Sequence, residues 1–304
     1  MNVAYKVIIC FFIVTLGFIS RKIGLLGERD GKTLSSIVID ITIPFLIMDT
    51  FTSVALEIKF FFLVLFGMFA AFTMLSIGWL AFRRLNINNS TKGSLVLTFM
   101  GFNLTIFAYP FAKALWGQVG LAYMAMFDLG NVLIIYIVGY SIAVGYSSEK
   151  FSSKLVAKKL LTFPPLMAFC IALIINFMDL RIPEIIRQLF KMIGNANAFL
   201  SLMIIGIYLN FGRVLREIRY ILEDVMLRYL VGFCIGIFLY IICRRIFPSN
   251  AILSRVVLLS TLMPTPILSI VYSSERELDP EIAGGTVTIT VIVSSVILFL
   301  IGIL

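Results

Sequence analysis

Long apolar runs separated by short polar connections repeat along nearly the whole chain. Taking about 20 apolar residues for one bilayer crossing, the pattern predicts ten helical segments: 4–20, 33–52, 60–82, 94–114, 121–145, 160–178, 192–211, 222–243, 251–272 and 282–303. Two of these are interrupted. The fourth holds Gly101, Asn103, Thr105, Tyr109 and Pro110, and the ninth holds Met263, Pro264, Thr265 and Pro266. Glycine permits an unwound backbone, and proline removes a donor and clashes with the preceding turn. Lipid cannot satisfy freed backbone groups, so a helix broken at membrane depth survives only beside protein or a water-filled cavity.

The two breaks occupy matching places in two halves. The polar stretch from Ser147 to Lys154 lies near the midpoint of the 304 residues. The expected organisation is a first five-helix repeat (1–147), a central connecting loop (148–157) and a second five-helix repeat (158–304). Five is odd, so the second half must run through the membrane in the opposite sense. Paired broken helices in inverted repeats point to a binding site near the bilayer midplane.

Unwinding at each break would leave one half-helix ending in free carbonyls and another beginning with free N–H groups, suited to a cation and an anion respectively. Thr261, Thr265 and Ser269 recur at four-residue intervals, a spacing that would align their hydroxyls on one helical face. The carboxylates Asp40, Asp49 and Asp128 fall inside the predicted segments. An ionisable group at that depth is costly and is a functional candidate by default. Asp128 precedes Asn131 by three positions and shares its face, suiting the pair to a proton or cation site or to hydrogen bonding the unwound fourth segment. Asp40 stands one turn before Pro44 and is a further coupling candidate or else orients that kink, while Asp49 lies near a predicted boundary and is expected to be solvated. Gly232 and Gly236 form a GxxxG pair, suited to close helix packing or a dimer face.

Composition agrees with this picture. Hydrophobic residues make up 61% of the chain, charged residues 13%, and mean hydropathy is +1.06. The net charge of +9 comes from short Lys/Arg clusters in the connections, which act as topology signals and not as a nucleic-acid face. Fifteen of the 25 Lys and Arg residues follow segments one, three, five, seven and nine, or sixteen with Arg228, against nine on the other side. That bias predicts both termini outside a cell (plasma) membrane. Arg244 and Arg245 dissent. The apolar run Val7 to Ile19 is followed by Arg21 and Lys22 without a small-residue cleavage site, so a retained helix is expected. The four cysteines lie in apolar surroundings without a C-x-x-C pair, and histidine is absent. No metal site or cofactor is expected.

Several stretches carry a resemblance. Gly17 to Leu26, Ile43-Pro44, Phe102-Asn103-Leu104-Thr105 through Tyr109-Pro110, Phe163-Pro164-Pro165, and Met263-Pro264-Thr265-Pro266 with Glu275 and Asp279-Pro280-Glu281 are together similar to the auxin efflux carrier family. That family includes plant auxin exporters and bacterial malonate or malate carriers. The chain departs from its pattern where Leu104 separates Asn103 from Thr105 and where Phe163 replaces the usual Asn. The resemblance implies an all-α integral membrane protein of ten helices in two inverted repeats, with crossed, broken helices 4 and 9. It also implies a scaffold of helices 1, 2, 6 and 7, a moving transport part of helices 3–5 and 8–10, and often a homodimer.

The function expected from all this is secondary transport of a small organic anion, a carboxylate, by elevator-type alternating access. Asn103, Thr105, Tyr109, Pro110, Met263, Pro264 and Thr265 would form the substrate site. Asp128, Asn131 and Asp40 are candidates for coupling, and either a proton or sodium remains open. The alternatives are a sodium/proton antiporter or sodium-coupled symporter of the same fold, or a non-transporting receptor. An intramembrane protease lacks its Gly-x-Gly-Asp pattern.

Overall fold

The computed structural model describes residues 3–54, 58–147, 158, 161–178, 180, 182–209 and 218–303, and every regular element among them is helical. The helices are α1 (Val3–Lys22), α2 (Glu28–Ile37), α3 (Ile43–Ser53), α4 (Phe62–Phe82), α5 (Asn89–Thr98), α6 (Tyr109–Ile134), α7 (Tyr140–Tyr146), α8 (Pro164–Phe177), α9 (Glu184–Tyr208), α10 (Ile218–Ile246), α11 (Ala251–Ser260), α12 (Leu268–Glu275) and α13 (Pro280–Ile303). The expected central loop, 148–157, lies outside the described residues, as do Arg213 and Arg216.

Among the described residues, six stretches are long and apolar enough to cross a membrane: Arg29–Ser53, Phe62–Phe82, Leu104–Tyr146, Glu184–Tyr208, Ile218–Ile246 and Pro280–Ile301. Two of them contain three π-helical turns, at Val38–Thr42, Leu104–Ala108 and Ile135–Gly139. The first two immediately precede Pro44 and Pro110, whose missing N–H breaks the regular ladder, and a widened turn absorbs the defect. The stretch Leu104–Tyr146 has 43 residues. As a straight helix it would be roughly 65 Å long, twice the hydrocarbon thickness of about 30 Å. It is interrupted at Gly117, whose φ of 65° and ψ of −155° are open to glycine and not to residues with a Cβ. The predicted boundary between segments four and five falls there. Other boundaries move because polar residues extend helices past their apolar cores: α9 starts at Glu184, before the expected 192, and α10 runs from Ile218 to Ile246.

The helices pack in two groups. In one, α1 lies along α9, and α3 lies against α8 and α9. Gly17 and Gly206 make the first contact close: a Cβ on Gly17 would run into the Met203 carbonyl, and one on Gly206 into that of Val14. Arg21 caps the end of α9 by donating from Nη1 to the Ile207 (2.7 Å) and Leu209 (3.2 Å) carbonyls. Asn176 of α8 closes α3 through the carbonyls of Phe51 (2.5 Å) and Val54 (2.8 Å). These caps satisfy carbonyls that the helices themselves leave open.

In the second group α4 packs along α6, α10 against α11, and α13 against α5, α10 and α12. Gly67 and Gly130 hold α4 and α6 together, since a Cβ on either would collide with a backbone carbonyl, Phe127 in one case and Val64 in the other. Small residues let helix backbones approach where no hydrophobic effect drives association. Gly130→Leu is therefore expected to cost about 3 kcal/mol or more, as overpacking against rigid backbone does, read as a lowered Tm in detergent. Gly145→Ala is the control: that glycine is exposed, nothing lies within 4 Å of the added Cβ, and the change should be neutral or raise stability by roughly 0.5 kcal/mol.

The GxxxG pair resolves as internal packing. A Cβ at Gly232 would strike the Thr261 carbonyl, and one at Gly236 the Thr261 hydroxyl, so both glycines seat α10 against the end of α11.

Candidate functional site

Two ten-residue helices approach the middle of the protein, each opened by an asparagine cap. The Asn88 side chain accepts from the N–H of Thr91 (2.7 Å), and that of Asn250 from the N–H of Leu253 (3.0 Å). Both helices then stop. After α5 the chain runs non-helically through Gly101 (φ 137°), Phe102 and Asn103; after α11 it does so through Met263, Pro264, Thr265 and Pro266. The two extended strands of backbone cross and touch, with the Asn103 N–H donating to the Pro264 carbonyl (2.8 Å).

Asn131 holds the first crossing strand in place. Its Oδ1 accepts from the Phe102 N–H (3.0 Å), and its Nδ2 donates to the Phe102 carbonyl (2.9 Å) and to Asp128 Oδ1 (2.8 Å). The other carboxylate oxygen of Asp128 receives the Thr105 hydroxyl at 2.6 Å. Asp128 and Asn131 share one face of α6 and together span the unwound segment, which the i, i+3 spacing anticipates.

A cavity of about 690 Å³ lies against this crossing. One wall comes from the crossing group through Asn103, Thr105, Asp128, Asn131, Pro266 and Ile267, and the other from the α1/α3/α8/α9 group through Ser35, Ser36, Ile39, Phe163, Pro165 and Tyr208. Exposed Lys32, Ser36, Glu275 and Glu281 form its rim. Asn103 is 6% exposed, and its Nδ2 has no hydrogen-bond partner among the described residues. The first turns after both breaks, at Leu104 to Ile106 and at Ile267 and Leu268, also line the cavity. Helix starts of this kind carry partial positive charge and N–H groups aimed outward.

Of the sequence-predicted residues, Asn103, Thr105, Asp128 and Asn131 therefore converge on one cavity. Tyr109 lines a small adjoining pocket with Thr105 and Asp128. Pro110, Met263, Pro264 and Thr265 do not line the main cavity. Thr265 is fully buried with a hydroxyl that has no partner among the described residues, while its N–H donates to Thr290 Oγ1 (3.2 Å). Asp40 is exposed on the π-helical turn before Pro44, next to Ile39 of the cavity lining but not itself part of that lining. Thr261, Thr265 and Ser269 do not share a helical face, because residues 261–267 are unwound between α11 and α12.

Two readings need correction. Asp49 is 5% exposed and not solvated: Gln118 Nε2 donates to its Oδ2 (2.9 Å), and the Thr50 hydroxyl donates to Gln118 Oε1 (3.1 Å). Arg228 is not a topology charge but the largest fully buried side chain, with its guanidinium at the crossing. Asp224, one turn before it, is also fully buried and accepts the hydroxyls of Thr98 (2.9 and 3.1 Å) and Thr286 (2.8 Å). A signal for both was available, since an Asp and an Arg four apart inside an apolar segment should face the same protein interior.

The sequence matches the membrane transport protein family over residues 2–301. It is 23% identical over 303 residues to an uncharacterised transporter of Methanocaldococcus jannaschii, covering 97% of this chain and 96% of that one. A second uncharacterised transporter, from Methanothermobacter thermautotrophicus, is 25% identical over 287 residues, or 93% and 92% of the two chains. With apolar spanning helices, a cavity built on two interrupted helices, and a family match along almost all of its length, the chain belongs to the membrane transport proteins of the auxin efflux carrier family and is a transporter, not an enzyme.

Proposed function

We propose that this transporter carries a small organic anion, a carboxylate, as a secondary carrier working by elevator-type alternating access. The observation that carries the reading is the Asn103 carboxamide, a buried donor without a partner in the wall of the cavity. Burying an amide unpaired is costly, so its N–H groups are best explained as reserved for an acceptor that arrives from the cavity. Two helix starts and the Thr105 hydroxyl beside it favour an acceptor with negative charge. Two inverted five-helix repeats account for the matched asparagine caps and matched breaks, and the interruption at Gly117 supplies the extra crossing that ten segments require.

The division into a scaffold of helices 1, 2, 6 and 7 and a transport part of 3–5 and 8–10 is supported by the two packing groups. The cavity lies between them, as a site carried by one body past the other would. Its rim residues Lys32, Glu275 and Glu281 belong to the connections after segments one and nine, on the side that collects most of the Lys and Arg, so the conformation is read as open to the cytoplasm of a cell membrane, with both termini outside. A homodimer through the scaffold group belongs to the same proposal.

Thermal unfolding in detergent across malonate, malate, pyruvate, indole-3-acetate and taurocholate tests the reading. An acid at a hundred times its Kd should add about 2.7 kcal/mol of stability. Asn103→Ala should abolish that increment while leaving the ligand-free Tm nearly unchanged, because Nδ2 holds no partner to lose. An increment that survives in Asn103→Ala, or its absence for every acid, rejects the proposed site or the substrate class respectively.

A further inference from the structure

Arg228 is 1% exposed, and although the Asp224 carboxylate one turn earlier acts on it electrostatically, its hydrogen bonds go to backbone carbonyls. Its Nη1 donates to the Thr98 carbonyl (2.7 Å), and its Nη2 to Gly101 (2.5 Å), with longer contacts to Pro264 (3.3 Å) and Met263 (3.4 Å). These four oxygens come from the last residue of α5 and from both crossing strands, Gly101 after α5 and Met263 and Pro264 after α11. The Phe102 ring lies under the guanidinium, 5.4 Å from Cζ to centroid. Asp224, on the same helix, takes its hydrogen bonds from Thr98 and Thr286.

Backbone carbonyls gathered at one helix C-terminus and in the unwound segments beyond two of them make a site for a hard cation, since each end carries about half a negative charge and unwound carbonyls at such ends hold sodium in transporters with broken helices. Here the oxygens already have a cation. We propose that Arg228 is a tethered, permanent counter-ion of the crossing, taking the place of a coupling sodium, so that this carrier works without alkali metal at that position. A guanidinium suits the task because its planar fork serves several acceptors at once and it is never deprotonated under working conditions. The inference deepens the carrier reading by fixing one part of its energetics, yet it concerns the crossing itself and not the anion.

The test is thermal unfolding of the purified full-length protein at constant ionic strength, with sodium chloride replacing choline chloride and no organic anion present. Wild type is expected to show no sodium-dependent shift. Arg228→Ala, which opens the carbonyl cage, should melt several degrees lower and recover part of the loss in millimolar guanidinium or sodium, but not in the same concentration of urea. Arg228→Lys should fall between the two and remain insensitive to sodium. A saturable sodium shift in wild type overturns the proposal, as does an Arg228→Ala protein that is as stable as wild type. If Arg228→Ala does not fold, the wild-type titration and Arg228→Lys still decide. Because no acid is added, failure of the substrate panel and failure of this titration are separate results.

Discussion

Asn131→Ala is expected to be among the most damaging single substitutions in the protein. The side chain makes three hydrogen bonds, two to the peptide groups of Phe102 and one to Asp128, and it is completely buried. Removing it leaves an N–H, a carbonyl and a carboxylate oxygen short of a partner, each at about 1–3 kcal/mol when water cannot reach. The adjoining cavity admits some water, which reduces the sum, so the expected loss is about 3 kcal/mol. It would be read as a fall in Tm or in the denaturant midpoint in detergent. Asn131→Asp should be no milder, because it presents a second carboxylate to Asp128 and an acceptor to the Phe102 carbonyl. A variant that melts within a degree of wild type would mean that the crossing strand is held by other contacts. Any ligand-dependent increment should disappear with Asn131, since Asn103 is the next residue after the pinned Phe102. This pattern differs from that of Asn103→Ala, where binding goes and stability stays. The two variants thus separate holding the site from being the site.

Much of this site was legible in the sequence because breaks in an apolar segment leave a residue signature. Gly101 and Pro110, and Pro264 and Pro266, mark the interruptions, and the spacing of Asp128 and Asn131 places both on one face. The partner of that face was legible as well, since only an unwound segment offers bare peptide groups to an amide. The spacing of Asp224 and Arg228 could have shown that Arg228 faces the interior, but its partners were not legible for the complementary reason: all four of its acceptors are backbone carbonyls, which no residue type announces. A rule that counts positive charges by loop assigns such a residue to a membrane boundary. Asp49 misleads in the same way, because its hydropathy setting is that of a helix end while its partner Gln118 lies 69 positions later. Gly117, one residue earlier, turns the helical path and brings Gln118 to α3. Local pattern finds what the chain does to itself; it does not find which distant element arrives beside it.

Asp49, Thr50 and Gln118 lead to the second large effect, on transport. Along the second predicted segment, Ser36 lines the cavity and Thr50 lies fourteen positions on, about 20 Å along a helix, so this cluster sits at the far end from the rim. Gln118 belongs to the crossing group and Asp49 and Thr50 to the other, and Lys113 reinforces the bridge by donating to Asn195 of α9 (3.1 Å). These bonds span the boundary across which an elevator must slide. Linking Asp49→Cys to Gln118→Cys with mercuric ion or a short thiol-reactive linker, in a background without the four native cysteines, should abolish uptake into proteoliposomes, and cleavage by excess thiol should restore it. The single-cysteine variants should keep their uptake after the same treatment, because each loses only polar contacts near the membrane boundary and gains no tether. Full uptake by the linked protein would place the moving boundary elsewhere and remove the mechanical part of the proposal, while leaving the anion site at Asn103 to stand or fall on its own measurement.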